Sequence, residues 1–140
     1  MIQKKKIDLF FETPKIAVVG ASRDIRKYGN IIYRRLKAKG YHAIPVNPFA
    51  DEIDGDKCIS SISDLNPQDT ALVLVTHQKD TDRITEEAIR LGFTQIWVQT
   101  DCDTENTPVF AQDQALNIIH NYCILVIMKQ KKESAKPIVL

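Results

Sequence analysis

The chain has 140 residues, enough for one compact domain with a substantial core. It is 44% hydrophobic and 26% charged with a net charge of +1, so bulk electrostatics gives no reason to expect nucleic acid or a membrane surface as partner. No apolar run approaches the length needed to span a bilayer, and Asp8, Glu12 and Pro14 interrupt the stretch after the first lysines, which argues against a secretory signal.

In chain order, residues 1–13 read as a short leading segment with a helix through Leu9 and Phe10. The first strand is Ile16 to Val19, and it ends in Gly20-Ala21-Ser22. A helix follows from about Asn30 to Lys39, with Ile32 and Leu36 on one face and Gly40 as its stop. The second strand, His42 to Val46, ends at Asn47-Pro48. Phe49 to Pro67 is a looser connection, with one helical turn at Ile62 to Leu65. Thr70 to Val75 is a continuous apolar run of the kind covered on both faces of a sheet. The next helix, about Asp80 to Leu91, aligns Ile84, Ala88 and Leu91 and stops at Gly92. Gln95 to Val98 is the fourth strand. Thr107-Pro108 reads as an N-cap followed by proline at the first helical position. Ala111, Ala115 and Ile118 would share the buried face of that helix. Tyr122 to Ile127 is the fifth strand, and the polar residues from Lys129 onward form a frayed tail.

Strands separated by helices imply right-handed crossovers and a parallel sheet covered on both faces. The expected fold is therefore α/β: a single doubly wound, five-stranded, Rossmann-like domain over residues 14–128, with residues 129–140 as a polar tail. Its ligand belongs at the carboxyl ends of the strands, near the switch point beside strand one.

The segment Lys15 to Asn30 carries the strongest chemical signal. An apolar strand, a small-residue turn and a helix start together describe a phosphate cradle. Free N–H groups and the positive end of the helix favour an anion there. Arg23, Arg26 and Lys27 crowd the same loop, which also carries Ser22. It is not a Walker loop, because no Gly-Lys-Ser/Thr ends it. Nor is it G-x-G-x-x-G, since Ser22 takes the second glycine position and the next glycine is Gly29. The alternative is an empty turn whose small residues only permit tight packing. At the end of strand two, Val46-Asn47-Pro48 lacks the carboxylate that NAD sites use for the ribose hydroxyls. An uncharged end suits an adenosine whose ribose carries a phosphate, although a plain turn accounts for Asn47-Pro48 equally well.

Other candidates are weaker. His42 lies at the amino end of its strand and reads as structural. His120 reads as a solvated helix cap. His77 lies at the ligand edge without a nucleophile or carboxylate at fixed spacing. There is no nucleophile elbow, metal-ligand spacing or carboxylate pair. Cys123 is expected to be buried in strand five. Cys102 lies in the loop after strand four, flanked by Asp101 and Asp103. Three cysteines without zinc-like spacing cannot all pair within the chain, so a reduced, cytoplasmic setting is expected.

Val18-Val-Gly-Ala-Ser22, Lys27-Tyr-Gly-Asn30, Pro45-Val-Asn-Pro48, Glu86-Glu-Ala88, Leu91-Gly92 and Trp97-Val-Gln99 occur in an order that resembles the YccU-like family of small CoA-binding proteins. That family is similar to the CoA-binding N-terminal domain of the succinyl-CoA synthetase alpha subunit. The similarity runs from about Lys15 to Met128. It implies a ligand, coenzyme A or an acyl-CoA. The diphosphate would lie on Gly20, Ala21, Ser22, Arg23, Lys27, Tyr28, Gly29 and Asn30, and the adenosine half beside Val46, Asn47 and Pro48. Thr76, His77 and Gln99 stand in the region expected near the pantetheine arm. After Trp97-Val-Gln99 the family usually has glycine, where this chain has Thr100-Asp101-Cys102-Asp103.

The expected function is a CoA-binding module without chemistry of its own, or with chemistry supplied by a partner protein. Homodimerisation is compatible with it. Two alternatives are a small NAD(P)-dependent oxidoreductase and an interaction protein whose nucleotide pocket is degraded. The first needs a substrate domain or proton donor for which the chain has little room. The second draws its support from the altered loop after strand four.

Overall fold

The apolar runs assemble into one sheet because most of them are buried on both faces. In the computed structural model, which describes residues 2–131, the elements in chain order are α1 (Ile2–Glu12), β1 (Lys15–Val19), α2 (Tyr28–Ala38), β2 (Ala43–Val46), β3 (Glu52–Ile53), β4 (Asp56–Lys57), a 3-10 turn (Ile62–Asp64), β5 (Thr70–Leu74), α3 (Gln78–Leu91), β6 (Gln95–Val98), α4 (Thr107–Phe110), β7 (Asn117–Ile119) and α5 (Ile124–Gln130). The main sheet has five strands in the order β2-β1-β5-β6-β7. Every pairing in it is parallel. The order reverses between β1 and β5, so their carboxyl ends frame the crevice where doubly wound sheets take ligands.

Alternation along each strand divides the core into two layers. Ile16, Val18, Ala71, Val73, Trp97 and Ile119 meet α1, α2 and α5 through Phe10, Phe11, Ile32, Tyr33, Leu36, Ile124 and Met128. Ala17, Val19, Leu72, Leu74, Ile96, Val98 and Ile118 face the other way, toward Ala88 of α3, Phe93 and Phe110. The leading segment is a helix, as its sequence indicates, and it contributes to the core. Phe10 is fully buried with its ring edge-on to Trp97, the centroids 5.2 Å apart. Among the described residues, no helix is long and apolar enough to cross a membrane.

The last third differs from the sequence expectation. The segment Tyr122 to Ile127 is not the fifth strand; Ile124–Gln130 is helix α5, and the fifth strand of the sheet is Asn117–Ile119. The edge position beside β6 goes to Asn117, whose Nδ2 donates to Gln95 Oε1 (2.6 Å) and to the Lys6 carbonyl (2.9 Å). The more apolar run then covers the sheet face, with Ile124 and Met128 buried one helical turn apart. The helix after Thr107 is also short, and Ala115 lies exposed beyond its end. Helix α2 begins at Tyr28 rather than Asn30. Lys129 and Gln130 belong to α5 rather than to a frayed tail, and the part of that tail beyond Lys131 lies outside the described residues.

The connection Phe49 to Pro67 contains a hairpin. Ile53-Asp54-Gly55-Asp56 reverses the chain with positive φ at both central residues, so β3 and β4 pair antiparallel. Buried Ile53 and the carboxylates Asp54 and Asp56 dock this hairpin on α2. Lys37 Nζ donates to both carboxylates, and the Tyr33 hydroxyl donates to Asp56. These bonds hold the Asp56 carboxyl below its ordinary range, while burial and then the bond to Asp56 push the Tyr33 hydroxyl up.

Candidate functional site

Strand β1 leaves the sheet at Gly20, where φ is +100°. A Cβ there would lie 2.0 Å from the Val75 carbonyl oxygen, so β1 and the end of β5 meet closer than any side chain permits. Gly29 does the same from the helix side. Its Cβ would lie 2.1 Å from the Gly20 carbonyl oxygen and 3.3 Å from Ala21 Cα. The first turn of α2 therefore rests directly on the backbone of the turn that precedes it.

Side chains then tie the turn together. Asn30 is buried; its Nδ2 donates to the Ser22 carbonyl (2.7 Å) and its Oδ1 accepts from Arg34 Nε (2.6 Å). Asn47, at the end of β2, donates through Nδ2 to the Ala21 carbonyl (2.8 Å). Ser22 Oγ accepts the Asp24 N–H (3.0 Å). Lys27 caps α2 without a side-chain bond, and the helical ladder starts with the Asn30 and Ile31 N–H groups on its carbonyl (3.1 Å each). The N–H groups of Tyr28 and Gly29 stand ahead of that ladder, as the first donors of a helix do.

The three cations of this loop are not equivalent. Arg26 is fixed to Asp24 through Nε and Nη2, both at 3.1 Å, and this bond holds the Asp24 carboxyl below its ordinary range. Arg23 and Lys27 are exposed and form no ion pair among the described residues. The positive charge open to a ligand is thus carried by these two and by the helix end.

The other predicted residues sit at the same sheet edge with different degrees of freedom. Val46 is buried and pairs with Val19 in the sheet, while Pro48 is exposed. His77 is exposed and caps α3 without a side-chain bond. Thr76 Oγ1 bonds to Thr81 Oγ1 (2.7 Å), and Thr81 donates on to the Cys102 carbonyl (2.7 Å). Gln99 is engaged internally: its Oε1 accepts the Ile124 N–H (3.0 Å) and its Nε2 donates to Cys123 Sγ (3.2 Å). Its amide caps the first turn of α5, a use that depends on Ile124–Gln130 being helical.

Two residues differ from expectation. Cys123 is half-buried ahead of α5 rather than inside a strand. His120 follows β7 at the ligand edge rather than capping a helix, and its Nδ1 is buried without a hydrogen-bond partner among the described residues.

The loop Thr100 to Asn106, which begins with the Thr100 to Asp103 departure from the resembled family, is folded onto α3. Gln78 Nε2 donates to the Asp103 carbonyl (2.8 Å), while Thr104 Oγ1 (2.6 Å) and Asn106 Nδ2 (2.7 Å) donate to Asp82. Cys102 turns into the core beneath it. Burial first, and then Asp101 and Asp103, push its thiol above the ordinary range. Since the thiolate is the reactive form, Cys102 is expected to be the last of the three cysteines to be alkylated in the folded protein at neutral pH. Peptide mapping after timed iodoacetamide treatment checks this. Labelling as fast as at half-buried Cys58 and Cys123 would mean that the loop leaves α3.

The strand order, the switch point and the glycine-lined turn define a Rossmann-type, doubly wound α/β domain. Residues 14–129 match the family described as CoA binding domain, and the chain belongs to that family. It is 24% identical over 119 residues to the uncharacterized protein YneT of Bacillus subtilis, covering 85% of this chain and 88% of that one. A conserved hypothetical protein from Pyrococcus furiosus, whose structure is solved, superposes with a TM-score of 0.75 at 37% identity over 81% of this chain and 97% of that one. The alpha subunit of acetate–CoA ligase (ADP-forming) II from Pyrococcus furiosus is 35% identical over 71 residues, which are 49% of this chain but 16% of that subunit.

Proposed function

We propose that the chain binds coenzyme A or an acyl-CoA and carries out no chemistry on it alone. The diphosphate lies on Gly20, Ala21, Ser22 and the first turn of α2 at Tyr28, Gly29 and Asn30, with Arg23 and Lys27 supplying charge. The adenosine half runs toward Val46, Asn47 and Pro48, and the pantetheine arm toward Thr76 and His77. The carrying observation is the Gly20–Gly29 contact, which seats the first turn of α2 on the turn after β1, at the switch point of a domain from the CoA-binding family. The ligase subunit named above supports CoA as the ligand. Its chemistry belongs to a protein of which this chain resembles a minor part, so any reaction here draws on a partner protein. Three free thiols fit a reducing, cytoplasmic setting.

A thermal-shift panel of CoA, acetyl-CoA, NAD, NADP and ATP tests this proposal. A ligand at a hundred times its dissociation constant stabilises the fold by about 2.7 kcal/mol, a shift of several degrees for a domain of this size. CoA is expected to give the largest shift, because Asn47 stands where an NAD site places a carboxylate. A larger shift with NAD would reverse the assignment in favour of the oxidoreductase alternative.

A further inference from the structure

We propose that Phe49 is the platform on which the adenine base of the bound nucleotide stacks. The proposal rests on the CoA assignment above and adds a residue outside the predicted site. Phe49 is 91% exposed, more than any other large apolar side chain among the described residues. Exposure by itself decides nothing, because single apolar side chains are common on protein surfaces. The tether decides. The Phe49 N–H donates to Asn47 Oδ1 (2.7 Å), and the Nδ2 of the same amide donates to the Ala21 carbonyl (2.8 Å). One side chain thus links the root of the ring to the turn proposed for the diphosphate. The Asn47 N–H is itself fixed on the Ile59 carbonyl (2.9 Å), so the anchor does not swing with the loop.

The position also suits the ligand. β2 pairs directly with β1, so its carboxyl end is the next strand end beside the phosphate turn, on the outer side of the sheet. A nucleotide held by its diphosphate at β1 and running outward places its base over this strand end. Pro48 and Phe49 offer no carboxylate there to repel a ribose phosphate. A phenyl ring needs no hydrogen bond from the base, because every base presents a π-face. Its predicted contribution is affinity for the adenine half.

The test uses titration calorimetry on the full chain and on Phe49→Ala, Phe49→Leu and Phe49→Trp. The ligands are CoA, adenosine 3′,5′-bisphosphate, which keeps the base, and 4′-phosphopantetheine, which lacks it. Loss of base stacking corresponds to a roughly five- to hundredfold weakening of CoA and of the bisphosphate in the alanine variant. Leucine, apolar but without a π-face, should lose most of the same factor, and tryptophan should retain affinity. Phosphopantetheine affinity should be equal in all four proteins. Their melting temperatures should also agree, since the ring is exposed. Unchanged CoA affinity in Phe49→Ala overturns the proposal and leaves the CoA assignment standing. An equal loss for phosphopantetheine also overturns it, because Phe49 would then act on the turn. Absence of CoA binding by the parent chain overturns the assignment itself, and this proposal with it.

Discussion

Replacing Gly20 by alanine is expected to cost about 4 kcal/mol or more of stability, and replacing Gly29 about 2–4 kcal/mol. Two penalties combine at Gly20. Its φ of +100° is a conformation side chains rarely adopt, and the added Cβ would lie 2.0 Å from the Val75 carbonyl oxygen. That oxygen belongs to backbone held by the Val75 N–H bond to the Val19 carbonyl (2.8 Å), so relief requires β1 and β5 to part at the switch point. Gly29 is the more discriminating case because it sits in the first turn of a helix. Glycine to alanine within a helix ordinarily stabilises by about 1 kcal/mol. Here the sign reverses, because the Cβ would meet the Gly20 carbonyl oxygen at 2.1 Å and α2 would have to lift off the turn. Urea unfolding followed by circular dichroism gives both numbers. A Gly29→Ala variant as stable as the parent would show that the helix start does not rest on the turn, and the proposed cradle would lose its geometry.

The parts of the fold legible in the sequence are those where pattern and burial coincide. Ile16 to Val19 and Ala71 to Leu74 are apolar without interruption because they are central strands flanked on both sides, and Gly40 and Gly92 mark helix ends that need a left-handed residue. The C-terminal region departs from its sequence pattern because short apolar runs look alike in both secondary structures. Cys-Ile-Leu-Val-Ile-Met has the composition of a buried strand, whereas Asn117-Ile-Ile has little to mark it. What separates them is the polar anchoring of Asn117 to Gln95 and Lys6, a tertiary contact that spans 111 residues of sequence for Lys6. The hairpin at Asp54-Gly55 carries a local signal, the Asp-Gly pair at its turn, although its flanks Asp51-Glu52-Ile53 and Asp56-Lys57-Cys58 do not alternate.

The site shows the same division. Gly20, Ser22, Gly29 and Asn30 lie within one short segment, and the structure brings them together at the turn. Asn47 reaches the same place from β2, because β1 and β2 are neighbours and its amide bonds the Ala21 carbonyl. The sequence could not show how charge is distributed there. Asp24 lies inside the loop and takes Arg26 out of play, so a loop with three cations presents two of them. Nor could it show that Gln99 is spent on capping α5, since that use depends on the helix the apolar run concealed. Nor does the sequence show that the Thr100 to Asp103 segment is tied back onto α3, through the Asp103 carbonyl to Gln78 and through the adjoining Thr104 to Asp82.

Substituting Ser22 by glutamate is expected to weaken CoA binding at least about a hundredfold while the domain stays folded. Ser22 is half-buried in the middle of the turn, its carbonyl is held by Asn30, and its Oγ accepts the Asp24 N–H. A carboxylate at this point would compete with the ligand for the same positive helix end. Two unit charges about 4 Å apart repel by roughly 4 kcal/mol at the effective dielectric of a protein surface, and the diphosphate carries more than one charge. Arg23 and Lys27 would pair with the new carboxylate and lose part of their value to the ligand. Ser22→Ala separates charge from structure. It removes the bond to Asp24, at a cost of about 1 kcal/mol in stability, but places no charge on the turn. Its CoA affinity should fall less than tenfold. Calorimetric titration of both variants, beside their melting curves, reads the two effects separately. Strong CoA binding retained by a folded Ser22→Glu protein would put the diphosphate elsewhere. Equal losses in the two variants would mean that the turn's conformation, and not its charge, controls the ligand.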